Sequence, residues 1–281
     1  MEEQNSLIEQ EEEDNDDVWC APKILSTGGR FTYTLFTNKN TNKLAVRKTP
    51  VGDFPGRRKA VKREIKFLKQ LGHREHVVDM VDHGVDENML PYVMTSHATN
   101  LTDYFSVIDK RVRKSRAKFV FRQLCSVVDY LHAISVTHGK IEPSNILMTA
   151  DHTLKMCNFE LAKKHRSTEF VRPVFPYGPS EPFMAPEVYQ MDHLCPFQAD
   201  MWSVGAVVLT ILSKKHCWKK PDFSDGKYKR FFKKRETVAG VRALKGLDCD
   251  ETEAVLGLLH IQPRRRWSPY ELKNCRWLSS A

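Results

Sequence analysis

Apolar and β-branched positions alternate with polar ones from Ile24 to Val46. A period of two places successive side chains on opposite faces, so this stretch predicts antiparallel strands. Asn38 to Asn42, rich in Asn and Thr, predicts the turn of a hairpin. The period then changes. From Arg57 to Leu71 the residues Ala60, Val61, Ile65, Leu68 and Leu71 fall on one helical face. Glu64 lies four residues after Ala60 and four before Leu68, so it points inward with them, and a charge placed there needs a partner. After Leu101 the pattern turns mainly helical, and no internal repeat is visible.

A small β-rich part with one helix, followed by a larger helical part, predicts an α+β chain. Length and composition agree: 281 residues with 41% hydrophobic content can bury a substantial core. The longest apolar stretch, Val204 to Leu212, is far shorter than the ~20 residues of a membrane span. The acidic N-terminus argues against a secretory leader. Seven scattered cysteines without metal-ligand spacing read as thiols of a reducing compartment. An intracellular protein of the cytoplasm or nucleus is expected.

The net charge of +9 is unevenly placed. Residues 1–17 hold nine acids and no Lys or Arg, so setting those nine negative charges aside leaves the remainder at +18. Residues 1–18 are expected to be a disordered acidic tail. Basic runs lie at Arg57–Lys69, Lys110–Lys118, Lys214–Arg235 and Arg264–Arg266. They read either as solvated helix faces or as a surface for acidic or phosphorylated partners, with the tail as competitor. Nucleic acid is not an expected partner, because the runs sit on separate elements with little aromatic interleaving.

Short motifs then recur in a fixed order. Ile24 to Thr34 contains Gly28-Gly29. Leu44-Ala45-Val46-Arg47 follows, then Glu64, then Tyr92-Val93-Met94-Thr95-Ser96-His97. His138-Gly139-Lys140-Ile141-Glu142-Pro143-Ser144-Asn145, Asn158-Phe159-Glu160 and Ala185-Pro186-Glu187 come next. Asp200-Met201-Trp202-Ser203-Val204-Gly205, Pro263 and Arg266 close the series. In order and spacing these resemble the protein kinase family from about Trp19 to Ala281, most closely the checkpoint kinase 1 branch of the serine/threonine kinases. The resemblance implies a bilobal domain over 19–281, with a small lobe at about 19–95 and a large lobe at about 98–281.

The resemblance also implies roles. Gly29, Ala45, Arg47, Met94, Ser96, His97 and Leu147 would surround a nucleotide, with Met94 as gatekeeper, Thr34 in place of a usual valine, and Ala45 and Leu147 as adenine walls. Glycine spacing in the Ser26–Thr32 loop is poor for cradling phosphate. Leu68, Met80, His138 and Phe159 match a hydrophobic column anchored by Asp200, and Glu187 and Arg266 match a buried ion pair.

Catalytic positions depart from the family. Arg47 stands where a lysine belongs, and alternation sets Ala45 and Arg47 on one face with Lys48 on the other, so an Arg47–Glu64 bridge is expected. Lys140 stands where the family has its proton-accepting aspartate, and Glu142 where it has a lysine. A lysine of ordinary pKa near ~10.4 is protonated at neutral pH and unfit as a base. The swap keeps an opposite-charge pair with reversed polarity. Asn158 replaces a metal-holding carboxylate, and Asn145 is left as a vestigial amide. Glu160 replaces a hinge glycine, although its carboxylate could reach a metal. Gly139 removes an arginine that reads activation-segment phosphates, despite Ser167 and Thr168, and Pro173, Pro176, Pro179 and Pro182 stiffen that segment.

The expected function is a catalytically inactive kinase-like protein, not an enzyme. It would act by binding as a scaffold or allosteric regulator in serine/threonine kinase signalling, its partner an active kinase or that kinase's acidic or phosphorylated substrates. ATP binding stays open, and magnesium is not expected. The alternative is an unorthodox active kinase using Glu142 and Glu160.

Overall fold

The computed structural model of the protein describes residues 19–165, 171–172, 181–190, 193–214, 218–234, 244 and 246–280. The acidic segment 1–18 and the calls on Ser167, Thr168, Pro173, Pro176 and Pro179 lie outside the described residues.

The chain opens with β1 (Trp19–Thr27), β2 (Phe31–Asn38) and β3 (Leu44–Pro50), continues through helix α1 (Pro55–Leu71), and completes the small lobe with β4 (Met80–Val85) and β5 (Pro91–Ser96). These strands form one antiparallel sheet in the order β1-β2-β3-β5-β4. The β2–β3 turn forms where the Asn-rich run predicts it. Asn38 Oδ1 accepts from the backbone of Asn40 and Thr41, and Asn42 takes a positive φ of 55°, which asparagine tolerates well. Helix α1 begins two residues before the predicted start, because Pro55 at its first turn lacks an N–H that would have no partner there. It ends at Gly72, whose φ of 60° suits a residue without a Cβ and whose N–H returns to the Leu68 carbonyl. Ala60, Val61, Phe67, Leu68 and Leu71 are buried on its inner face, and so is Glu64.

The large lobe starts at β6 (Thr99–Asn100), α2 (Leu101–Ser106) and the long α3 (Arg113–Ala133). Short strands β7 (Val136–Thr137), β8 (Ile146–Met148), β9 (Leu154–Met156) and β10 (Lys163–Lys164) carry the loops that face the small lobe. Helices α4 (Glu187–Gln190), α5 (Pro196–Ser213), α6 (Gly226–Lys234), α7 (Cys249–Leu258), α8 (Pro269–Asn274) and α9 (Arg276–Ser279) follow. Helix α5 is apolar nearly all round and runs through the core, with Met201, Trp202, Val207, Val208 and Leu209 buried. It approaches α7 closely at Gly205, where a Cβ would lie 2.7 Å from that of Leu258. Helices α7 and α8 each begin with a capping box, Asp248 with Glu251 and Ser268 with Glu271. An antiparallel β lobe carrying one helix, set on a helical lobe, is the α+β arrangement the sequence predicts.

Candidate functional site

The cleft between the lobes is lined from above by β2, β3 and α1, and from below by the loops after β7 and β9. Strand register decides which side chains enter it. Tyr33 pairs with Lys48 and Thr34 with Arg47 across β2 and β3, while Arg47 pairs with Met94 and Lys48 with Val93 across β3 and β5. Directly paired residues share a face. Lys48, Tyr33 and Val93 therefore face the cleft, and by alternation so do Val46, Leu35 and Thr95. Arg47, Thr34, Met94 and Ala45 face the other way.

This corrects the expected Arg47–Glu64 bridge. The Arg47 guanidinium lies 4.0 Å from the Tyr92 ring centroid and 5.0 Å from that of Phe36, on the far face of the sheet. Lys48, buried in the cleft, donates to Glu64 Oε2 at 2.9 Å. The alternation argument correctly separates the two side chains but assigns the inward face to the wrong one. Ala45 and Met94, expected to line a nucleotide pocket, consequently do not face the cleft, and neither does Thr34. Val46 and Leu35 hold the cleft-facing positions instead, with Thr95 in place of the proposed gatekeeper.

Lys48 has more than one acceptor. Its Nζ also donates to Asn158 Oδ1 at 2.7 Å and to Glu160 Oε2 at 3.0 Å, and lies 4.4 Å from the centre of the Phe31 ring. Burial alone would lower the Lys48 pKa. The carboxylates of Glu64 and Glu160 with Tyr33 outweigh it, and the ammonium is held well above its usual range. Tyr33, partly buried beside this cluster, has its phenol pushed up to about 12, chiefly by loss of solvent around it.

Glu160 is the second hub. Its Oε1 accepts from Lys140 Nζ at 2.9 Å, and Arg30 Nη1, from the β1–β2 hairpin, stands 3.9 Å away. Burial would raise its pKa, but Lys48 and then Lys140 reverse that and bring it to about 2. The Glu160 backbone carbonyl accepts from Arg63 Nη1 at 2.8 Å. Lys140 thus pairs with Glu160 and not with Glu142, which corrects the expected swapped pair. The Glu142 carboxylate instead accepts from Ser144 Oγ at 2.7 Å and Asn145 Nδ2 at 3.3 Å. The left-handed residue of the second loop is Asn158 (φ 65°), whereas Glu160 sits in an ordinary 3-10 turn, so a glutamate there meets no backbone penalty.

The remaining sites are supporting ones. His138 and Phe159 meet edge to face with ring centroids 4.9 Å apart; both are buried in the same core as Leu68, against which Met80 is partly buried. Asp200 accepts from the backbone N–H groups of His138 and Gly139, both at 2.9 Å. Glu187 and Arg266 form a two-pronged buried pair at 2.6 and 3.0 Å. Gly29 lies in the β1–β2 hairpin, where Gly28 N–H donates to the Phe31 carbonyl. Ser96 ends β5, the His97 N–H donates to the Leu44 carbonyl, and Leu147 is half-buried in β8.

A divalent cation, the usual partner of phosphates in this type of cleft, requires free oxygen donors. Asn158 Oδ1 accepts from Lys48, Asn145 Oδ1 accepts from Asn158 Nδ2 at 3.1 Å, and each Glu160 oxygen accepts from a lysine. No group of three or more His, Cys, Asp or Glu that could hold a metal occurs among the described residues. This donor set, with two ammonium groups in its centre, does not fit a divalent cation.

Residues 23–278 match the family described as the protein kinase domain. The chain belongs to the protein kinase family. Serine/threonine-protein kinase stk11 homolog of Dictyostelium discoideum is 25% identical over 247 residues, covering 86% of this chain and 41% of that protein. STK11 of Mus musculus is 27% identical over 223 residues, covering 77% and 49%. CHK1 of Saccharomyces cerevisiae is 28% identical over 172 residues, covering 59% and 32%. The chain therefore spans less than half the length of each of these relatives. The matches correct the expectation of a chain that is not an enzyme: the family covers nearly the whole chain, and these relatives are named serine/threonine-protein kinases. No helix among the described residues is long and apolar enough to cross a membrane.

Proposed function

We propose that this kinase domain binds ATP in the cleft and transfers its terminal phosphoryl group to serine or threonine hydroxyls of protein substrates. The observation that carries the reading is the Lys48–Glu64 contact of 2.9 Å. It fixes α1 against β3 and holds a fully charged ammonium where the phosphates of a nucleotide enter. Sequence reading with Arg47 in that place removes this anchor, and the observed register returns it.

Phosphoryl transfer depends mostly on positioning and electrostatic stabilisation rather than on covalent help from the protein. In the transfer step the substrate oxygen bonds to the terminal phosphorus, the bond to the leaving diphosphate breaks, and the hydroxyl proton passes to a carboxylate. Lys140, whose Nζ donates to Glu160, is not the acceptor of that proton. Glu142, two residues further along the same loop and held by Ser144 and Asn145, is the carboxylate assigned to it. The basic runs on the large lobe favour substrates with acidic surroundings.

The test is phosphate incorporation into a serine/threonine-rich protein substrate, followed by mass spectrometry with the wild type, Lys48→Met and Glu142→Gln. Loss of the positioned base is expected to lower the rate by ~10²-fold or more. Wild-type incorporation no greater than that of Lys48→Met overturns the reading.

A further inference from the structure

The cleft holds its positive charge on side chains that meet at a single carboxylate. Lys48 Nζ and Lys140 Nζ approach different oxygens of Glu160, at 3.0 and 2.9 Å. They come from separate lobes, one from β3 and one from the loop after β7. Arg30 stands over the same carboxylate from the hairpin tip, at 3.9 Å from Oε1. An anion with two adjacent oxygens, bridging two ammonium groups beneath a guanidinium, is the arrangement that a diphosphate or triphosphate chain would also satisfy. Glu160 is a built-in stand-in for it.

We infer that the phosphates of a nucleoside di- or triphosphate take the place of the Glu160 carboxylate between Lys48 and Lys140, and that they bind without a divalent cation. Two features of the cleft favour this. The oxygens that would ligate a metal all accept hydrogen bonds within the protein, two of the four from Lys48 and one from Lys140. A lysine ammonium at the site of metal charge supplies positive charge to the phosphates but repels a cation beside it. The Glu160 backbone carbonyl is held separately by Arg63, so the loop keeps an anchor that does not depend on the carboxylate. The positive φ of Asn158 sets the turn just before it.

The inference rests on the nucleotide-binding reading above and assigns the chemistry of that site. The experiment is titration calorimetry and thermal melting of the full chain with ATP, ADP and adenosine, each with Mg²⁺ and with EDTA. ATP is expected to bind equally in the two conditions and more tightly than adenosine. Lys140→Met is expected to weaken ATP binding in EDTA about tenfold, the loss of one charged hydrogen bond. Lys140→Arg keeps the charge and is expected to retain most of the affinity. Glu160→Gln, which removes the internal competitor, is expected to tighten ATP binding about tenfold while leaving adenosine unchanged. Melting of each variant without ligand separates loss of fold from loss of binding. Binding of ATP only with Mg²⁺ overturns the inference and leaves the nucleotide reading standing. ATP no tighter than adenosine, or a Glu160→Gln variant that binds ATP more weakly, also overturns it. Absence of binding by every nucleotide in either condition removes the nucleotide reading itself.

Discussion

Glu187 with Arg266 in the large lobe, and Lys48 with Glu64 and Glu160 in the cleft, are all buried, with Lys140 partly buried beside the cleft group, yet the two groups distribute their bonds in opposite ways. Arg266 spends its donors on fixed partners: both Glu187 oxygens, the Gln198 carbonyl at 2.6 Å and the His260 carbonyl at 3.1 Å. Among the described residues no other side chain competes for them, and the Arg266 guanidinium lies over the Trp202 ring at 5.1 Å. In the cleft one ammonium is divided among three acceptors and one carboxylate among two lysines. A pair with a single arrangement serves the fold. In a cluster whose members are shared, Lys48 and Glu160 each keep a second partner when one contact is given up, which is what the proposed entry of an anion requires.

The comparison breaks most visibly at the closed pair. Truncating one partner of a buried ion pair leaves the other charge uncompensated, which costs about 3–5 kcal/mol. Arg266→Ala is expected to fall in that range by urea unfolding, with no change in the slope of the transition. In the shared cluster the expected loss is smaller. Lys48→Met removes one donor, but Glu160 keeps Lys140 and Glu64 keeps the Phe159 N–H at 3.2 Å, so about 3 kcal/mol is expected, the lower end of that range. If Lys48→Met proves more destabilising than Arg266→Ala, the cleft cluster is structural and the contrast fails.

The same contrast explains what could be read from the sequence. The small sheet and the helix carrying Glu64 rest on periodic stretches, which record burial directly, whereas the lobe bounds and the Glu187–Arg266 pair follow from the family resemblance of spaced motifs. The inward face of β3 does not. Alternation along Leu44–Pro50 separates Ala45 and Arg47 from Val46 and Lys48, but both Ala45 and Lys48 are buried, so hydropathy alone marks neither face as the cleft. The register set by β2 and β5 decides it. One clue was present: Phe36 and Tyr92 fall on the parity of Arg47, and a guanidinium between two rings needs no carboxylate. The partner of Lys140 was hidden for a different reason. Glu142 is near in sequence, but Glu160 comes from another loop, and only the fold brings it within 2.9 Å.

Acid sharpens the cleft side of the contrast. The folded-state pKa of Glu160, about 2, lies below its ordinary 4.5. The unfolded chain therefore takes up the proton first as pH falls, so the stability from this group is complete above about 4.5 and is lost on the way down to about 2. Glu160→Gln is expected to flatten the stability profile in that window and to leave it unchanged at neutral pH and above, apart from a constant offset. Chemical denaturation at pH steps from 6 to 2 measures it. A mutant profile parallel to that of the wild type throughout would mean that Lys48 and Lys140 do not hold the Glu160 charge as described.

The smallest expected effect lies between the two regions, at Gly139. Its φ is 75°, and a Cβ there would stand 3.1 Å from the Leu161 carbonyl oxygen. Its N–H is one of two held by Asp200, so the backbone cannot relax without giving up that bond. A left-handed conformation costs a residue with a Cβ roughly 1–2 kcal/mol relative to glycine. Gly139→Ala is expected to lose about that much by thermal unfolding. Because Leu161 follows Glu160, the push on its carbonyl is also expected to disturb the Lys140–Glu160 contact, while the Glu187–Arg266 pair stays in place. A loss of stability without any change in the acid profile of Glu160 would show that the loop after β7 and the carboxylate hub move independently.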